Sequence, residues 1–386
     1  MKIGIDAHGL GGRSLGAGNE QYSRQLIMNL LAIDQENEYH LFVNEPEALR
    51  PLLRGYENAR LVGLRPHSQW LQRPISAPYY AWRHQLDVLH FPFVRPPFTH
   101  AKTVVTVHDT LYETVPQFYT KLERTRMKTL IPWSCRNSDL IFTISEFSRQ
   151  QIHEHHGIPL DRIVVTPCAA DHVETASNIS PSERPGDLPP RYICFLGTLQ
   201  PRKNLVRLVR AFDMVVARSG IPHHLLLVGS LGWSSSDLVN AIQSAKYRDR
   251  IHITGFISDQ KKLNTILQHS DLLVCPSLAE GFALPPIEAQ RAGIPVMVSR
   301  TTCFPEIYAD SAEYCDPLDE ASIADAIQVV LQSEERRKLL VSRGFENAAR
   351  FCWRRTARIA LDAYRRLADE PLATPLMEST ERTARI

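Results

Sequence analysis

The chain has 386 residues, of which 44% are hydrophobic and 22% charged, with a formal net charge of +2. That length suits two domains, and so small a net charge gives no bulk attraction to nucleic acid, so no nucleic-acid partner is expected. No apolar run reaches the roughly 18 residues a membrane span needs, and the start "MKIGIDAHGLGG" meets charge and glycine too early for a signal peptide, so a cytoplasmic location is expected. The seven cysteines are scattered without zinc-ligand spacing and are expected to be buried free thiols in a reducing compartment.

In chain order, "KIGIDA" predicts a first strand, followed by a glycine-rich turn. A helix follows, with Tyr22, Leu26, Leu30 and Leu31 on one face. "YHLFVN", "VLHFP", "TVVTVHD", "LIFTIS" and "RIVVTP" predict further strands. Their apolar residues are often consecutive, as in a parallel sheet covered by helices on both faces. Between them, "YTKLERTRMKTLIPW" carries Lys121, Arg124, Arg126 and Lys128. It reads as a solvated helix face, with peripheral membrane contact as the alternative. The stretch at 176–190, "ASNISPSERPGDLPP", has no apolar periodicity and predicts a linker. Strand patterns resume in "YICFLGT", "HLLLVGS", "RIHITGF", "DLLVCPS" and "PVMVSR". The expected organisation is α/β, with Rossmann-like domains at 1–175 and 191–352 and a closing helix at 353–369. The tail at 370–386 lacks a core pattern and is expected to be disordered.

The stretch at 279–293, "AEGFALPPIEAQRAG", places Glu280 and Glu288 seven residues apart at the carboxyl end of a buried strand. In open α/β sheets that is the end where ligands bind. Pro286 suits a first helical turn and Gly293 a helix end, which puts Glu280 in a loop and Glu288 in the first turn. The N–H groups of Gly281, Phe282 and Ala283 then face a ligand beside a helix N-terminus. Both glutamates also have an ordinary reading, one favouring the helix dipole and one simply preceding a glycine.

A second stretch, "FLGTLQPRKNLVRLVRAF", predicts strand, loop and helix. Asn204 is the expected N-cap, and Leu205, Leu208, Val209 and Phe212 form the apolar face. Arg202 and Lys203 fall just before the helix, where bases are unfavourable unless an anion joins them. "LLLVGS" ends at Gly229 and Ser230, where backbone can approach a phosphate.

Arg202-Lys203-Asn204, the strand ending at Gly229, "GFIS" at 255–258 and "EGFALPPIEAQRAG" together resemble the nucleotide-sugar half of retaining GT-B glycosyltransferases, most closely glycosyltransferase family four. The hallmark of that family is Glu, seven residues, Glu. Ala283 stands where glycine is usual, and alanine disfavours a positive φ. "TVVTVHDTLYETVPQFY", "TISEFSRQQI" and "RSLGAGNEQYSRQLIMNL" resemble the amino half of the same family, whereas Pro167-Cys168-Ala169 departs from its usual Pro-Asn-Gly. The resemblance covers residues 1 to 365.

What the resemblance implies is a GT-B fold whose two Rossmann-like domains face a cleft, the last helix crossing back to the first. The donor would lie on the second domain and the acceptor mostly on the first. Arg202 and Lys203 would clamp the diphosphate, Glu288 hold the ribose and Glu280 contact the transferred sugar. His108 would stand beside that sugar. The catalytic set is thus His108, Glu280, Arg202 and Lys203. The remaining donor positions are Gly12, Gly197, Gly229, Ser230, Phe256 and the loop of Gly281, Phe282, Ala283 and Leu284. No metal or other cofactor is expected, because the two cations stabilise the leaving group. The implied activity moves a hexose from a nucleoside-diphosphate sugar, with GDP-mannose favoured. The acceptor would be a saccharide or lipid-linked saccharide of a surface polysaccharide. Two other classes are a nicotinamide-dependent oxidoreductase and a non-catalytic sugar-nucleotide-binding protein. "GLGGRSLGAG" lacks the Gly-x-Gly-x-x-Gly opening the former would need, and the intact polar set disfavours the latter.

Overall fold

A computed structural model describes residues 1–10, 18–65, 72–173, 186, 188–233 and 235–369. Gly12, most of the 176–190 stretch and the 370–386 tail lie outside the described residues. The first half builds a parallel sheet from β1 (Lys2–Asp6), β2 (Glu38–Val43), β3 (Ala59–Gly63), β4 (Val88–Pro92), β5 (Lys102–Thr106), β6 (Leu140–Thr143) and β7 (Ile163–Val165). Its order is β3-β2-β1-β4-β5-β6-β7, with every pair parallel. The second half builds another from β8 (Tyr192–Leu196), β9 (His224–Val228), β10 (Ile251–Gly255), β11 (Leu272–Cys275), β12 (Val296–Ser299) and β13 (Glu313–Cys315). Its order is β10-β9-β8-β11-β12-β13, again all parallel.

The central strands explain the consecutive apolar runs. β11 and β12 are buried at every position, so neither face can carry polar residues cheaply. The expected strands all form. β3 and β13 were not anticipated. Both are edge strands, and β3 buries only one of its five residues, so neither offers an apolar run to read. In each sheet the strand order reverses direction once, at β1/β4 in the first and β8/β11 in the second. Such reversals splay the flanking loops apart and open a crevice at the carboxyl ends.

The helix Leu205–Ser219 buries Leu205, Leu208, Val209, Phe212, Val215 and Val216 along one stripe, each worth about 1.5–3 kcal/mol of burial. The last helix, Trp353–Asp369, buries Trp353, Ala357, Ala360, Leu361, Tyr364 and Leu367 at the same spacing. It packs with the Gly18–Ile33 helix of the first half in one continuous core. Thr356 Oγ1 donates to Pro167 O at 2.7 Å, and Tyr364 Oη lies 2.7 Å from His90 Nδ1. The second half thereby returns its chain to the first.

The halves also touch through loops. The Glu306 carboxylate accepts from the N–H groups of Glu146 and Phe147, both at 2.7 Å, and so caps the N-terminus of the Glu146–His156 helix. The Lys121–Asn137 helix starts on a Thr120/Glu123 capping box, and Lys128 pairs with Glu113 at 2.5 Å. No helix among the described residues is long and apolar enough to cross a membrane. All seven cysteines are free, six of them buried.

Candidate active site

The second switch point gathers the charged residues singled out above. β8 runs through Gly197 into a short 3-10 turn, Pro201–Lys203, ahead of the Leu205–Ser219 helix. β11 ends at Cys275, and its following loop carries Glu280. Because β8 and β11 are neighbours, the two loops meet. Arg202 Nη1 donates to Glu280 Oε2 at 2.7 Å, and Lys203 Nζ donates to Glu280 Oε1 at 2.6 Å. Arg202 Nη1 also donates to Ala279 O. The anion beside the two bases is therefore a carboxylate of the chain itself. Burial alone would raise the Glu280 carboxyl, but the charges of Arg202 and Lys203 override it and hold the group at about 2. The Asp109 carboxyl of the first half also lies within electrostatic reach of both cations.

Local backbone strain surrounds this cluster. Asn204, Ala283 and Thr302 all adopt positive φ, at 62°, 64° and 52°. Asn204 is not a side-chain N-cap, contrary to expectation. Its amide nitrogen instead donates to Pro276 O at 3.0 Å and Pro317 O at 2.6 Å, tying the turn to the end of β11. Ala283 takes the left-handed conformation that alanine disfavours, and its carbonyl accepts from Tyr308 Oη. The Glu280 N–H donates to Thr302 Oγ1 at 3.2 Å. Backbone outliers held in place by such contacts cluster at functional sites.

The first half closes on the same loop. Ser145 Oγ donates to Gly281 O at 2.7 Å. A Cβ on Gly281 would lie 3.1 Å from Asp109 Cβ and 3.2 Å from His108 O, so only glycine lets the halves approach this closely. Asp109 follows His108 at the end of β5. Its carboxyl is raised by burial, a shift that the Arg202 charge opposes. His108 turns its ring toward Tyr22 and Phe93, with centroids at 4.9 and 5.5 Å. Burial lowers its pKa to about 4, so the imidazole is neutral, and its Nε2 is buried without a hydrogen-bond partner.

Glu288 lies elsewhere than expected. The helix starts at Leu284 rather than Pro286, so Glu288 falls in its second turn. Its Oε1 pairs with His172 Nε2 at 3.2 Å. Phe282 is a core residue, 2% exposed and edge-on to Phe351 at 5.4 Å. Leu284 is half-buried at the helix start. Gly229 needs its missing side chain for packing, since a Cβ there would sit 2.1 Å from Gly197 O. Ser230 is exposed, and its carbonyl accepts from Leu199 N–H at 2.9 Å. Phe256 lines a cavity of ≈ 500 Å³ with Leu226, His252, Thr254 and Lys262. Sequence reasoning missed Asp109, Ser145 and His172 as site residues. The His-Asp pair at the end of a strand was a usable signal for the first and the "TISEFSRQQI" resemblance for the second, whereas His172 follows only from packing.

The residues 18–174 match the family model described as Glycosyltransferase Family 4, and residues 180–347 match the model described as Glycosyl transferases group 1. O-antigen chain mannosyltransferase B of Escherichia coli is 29% identical over 284 residues, which cover 72% of this chain and 74% of that protein. Among solved structures, a sucrose-phosphate synthase from Thermosynechococcus elongatus aligns with a TM-score of 0.76 at 20% identity, covering 95% of this chain and 99% of that one. HepE of Anabaena, solved in complex with UDP and glucose, aligns with a TM-score of 0.72 at 16% identity over 95% and 100% of the two chains. The structural likeness gives the GT-B fold, the family models together span both halves, and the chain belongs to the family 4, group 1 glycosyltransferases.

Proposed function

We propose that this glycosyltransferase moves a hexose, with retention, from a nucleoside-diphosphate sugar to a saccharide or lipid-linked saccharide acceptor. The proposed donor is GDP-mannose. The observation that carries the reading is the Arg202–Glu280–Lys203 cluster at the second switch point, its carboxylate buried and its cations half-buried. Breaking the anomeric C–O bond places negative charge on the departing diphosphate. A guanidinium and an ammonium fixed in place by Glu280 stabilise that charge as it develops. Arg202 spends Nη1 on Glu280 and Ala279 O, which leaves Nε and Nη2 for phosphate oxygens. Lys203 has three donors and uses one on Glu280.

Glu280 then serves two ends. It pairs with both cations, and with donor bound it faces the sugar, where positive charge develops at the anomeric carbon. The neutral His108 offers an imidazole nitrogen to a sugar hydroxyl. Its neutrality suits hydrogen bonding to an uncharged group and not proton transfer by an imidazolium. Glu288 holds the ribose. Mannose as the sugar is supported by the likeness to a mannosyltransferase of O-antigen chains.

The test is a donor panel read by released nucleotide, run in excess EDTA. GDP-mannose is expected to turn over fastest, with EDTA changing the rate less than about twofold, because Arg202 and Lys203 do the work of a divalent ion. Preference for another donor refutes the mannose assignment. Loss of most activity in EDTA, restored by magnesium or manganese, refutes the clamp.

A further inference from the structure

We propose that His172 is a positioning residue that holds the Glu288 carboxylate ready for the donor ribose; this rests on the reading of Glu288 as the ribose ligand. His172 lies in the turn after β7, in the first half, and reaches the helix Leu284–Arg291 of the second half. Its Nε2 is 3.2 Å from Glu288 Oε1, and both side chains are 14% exposed. On the other side, Trp353 Nε1 donates to His172 Nδ1 at 3.3 Å. An indole N–H can only donate. Nδ1 must therefore accept, so the proton sits on Nε2 and points at Glu288. Trp353 thus selects the one neutral tautomer that can donate to the carboxylate.

Trp353 is itself fixed. It is 1% exposed, its backbone N–H donates to Asp171 Oδ1 at 3.0 Å, and its ring is edge-on to Tyr22 at 5.9 Å. Asp171 and His172 are adjacent, so one indole residue anchors the turn through both. The need for this support follows from the helix start at Leu284. In the second turn, Glu288 has no unpaired helix N–H groups nearby to orient it. With Oε1 held by His172, Oε2 remains for ribose hydroxyls. Outer hydrogen bonds of this kind pre-organise a binding group before its ligand arrives. The site for the ribose is thereby assembled from both halves and the returning helix.

The experiment compares calorimetric affinity for a ribonucleoside diphosphate (GDP or UDP, whichever wild type binds more tightly) with that for its 2′,3′-dideoxy counterpart. The proteins are wild type, His172→Ala, His172→Gln, Glu288→Gln and the His172→Ala/Glu288→Gln double variant. Wild type is expected to bind the dideoxy nucleotide about tenfold more weakly, and His172→Ala to lose about fivefold on the ribonucleotide alone. His172→Gln, whose amide N–H₂ falls near the Nε2 position, should recover most of that loss. The double variant should bind no worse than Glu288→Gln. Equal loss on both nucleotides, or undiminished loss in the double variant, would show His172 to be merely structural. An unchanged His172→Ala overturns the positioning role while leaving the ribose reading standing. Wild type that binds neither nucleotide, or binds both equally, overturns the ribose reading and this inference together.

Discussion

At the β8/β11 switch point, Arg202 and Lys203 face Glu280 at 2.7 and 2.6 Å, and the Glu280 carboxyl is held at about 2. At the corresponding edge of the first sheet the only close acid–base pair among the described residues is Asp6 with His8, at 2.5 Å, and beside it runs a set of uncharged hydrogen-bonding groups. His90 sits between Thr106 Oγ1 at 2.6 Å and Tyr364 Oη at 2.7 Å, and Tyr22 Oη meets Thr166 Oγ1 at 2.6 Å. Burial lowers His90 to about 3 and His108 to about 4. The same strand order therefore carries two cations on one carboxylate in one half, and in the other a set of neutral hydrogen-bonding groups beside the Asp6–His8 pair. An ionised edge suits a leaving group that gains charge. Neutral hydrogen-bonding groups suit sugar hydroxyls, which carry none.

The sharpest way to break that contrast is to remove the charge at its centre. Glu280→Gln keeps size and shape but leaves both cations without their carboxylate. We expect kcat to fall by about 10²-fold, because the sugar loses its facing anion in the transition state. Nucleotide affinity should hold or tighten, since nothing competes with the diphosphate for Arg202 and Lys203. Steady-state kinetics with calorimetry separates the two. A variant that loses nucleotide affinity and keeps turnover reverses the assignment.

The two buried histidines make a pH prediction. His90 and His108 have folded values depressed below the ordinary 6.5, so the unfolded chain takes up their protons first. Stability is then fully present above about pH 6.5 and declines as pH falls toward 4. Glu280 behaves as a depressed carboxyl, and its contribution is lost only below its ordinary 4.5. Between pH 6.5 and 4.5, a fully buried neutral histidine steepens the decline by up to about 1.4 kcal/mol per pH unit. His108→Gln should accordingly lose less of its thermal midpoint than wild type between pH 7.5 and 5. Parallel losses in the two proteins would mean that His108 titrates normally.

The smallest effect concerns the loop between the two edges. Ala283 holds a φ of 64°, a conformation costing about 1–2 kcal/mol with a Cβ. Ala283→Gly should stabilise the fold by about 1 kcal/mol in denaturant unfolding, after glycine's extra unfolded-state freedom is counted. A loss of stability would show that the Ala283 methyl group packs more than it strains.

The strands were readable because central parallel strands are apolar on both faces, as in β11. Edge strands β3 and β13 lack that constraint and left no pattern. Within the site, each loop was legible and the pairing between loops was not. Lys203 and Glu280 are 77 positions apart, and only the strand order that makes β8 and β11 neighbours brings them together. Helix capping misled twice. Asn204 resembles an N-cap but serves as a brace between loops, and adjacent prolines hid a helix start two residues earlier at Leu284. His172 gave no signal, because its partners Glu288 and Trp353 lie on elements that meet only in the folded chain.

The central claim is that a fixed pair of cations carries the leaving group, and Lys203 tests it most directly. Lys203→Ala removes one charge-assisted donor while Arg202 still pairs with Glu280, so the loop keeps its anchor. With GDP-mannose as donor and EDTA present, kcat/KM should fall by about 10²-fold, the usual effect of losing one pre-organised donor to a developing anion. A change of less than about threefold in a variant with an unaltered thermal midpoint would contradict the account and make Lys203 no more than a partner of Glu280.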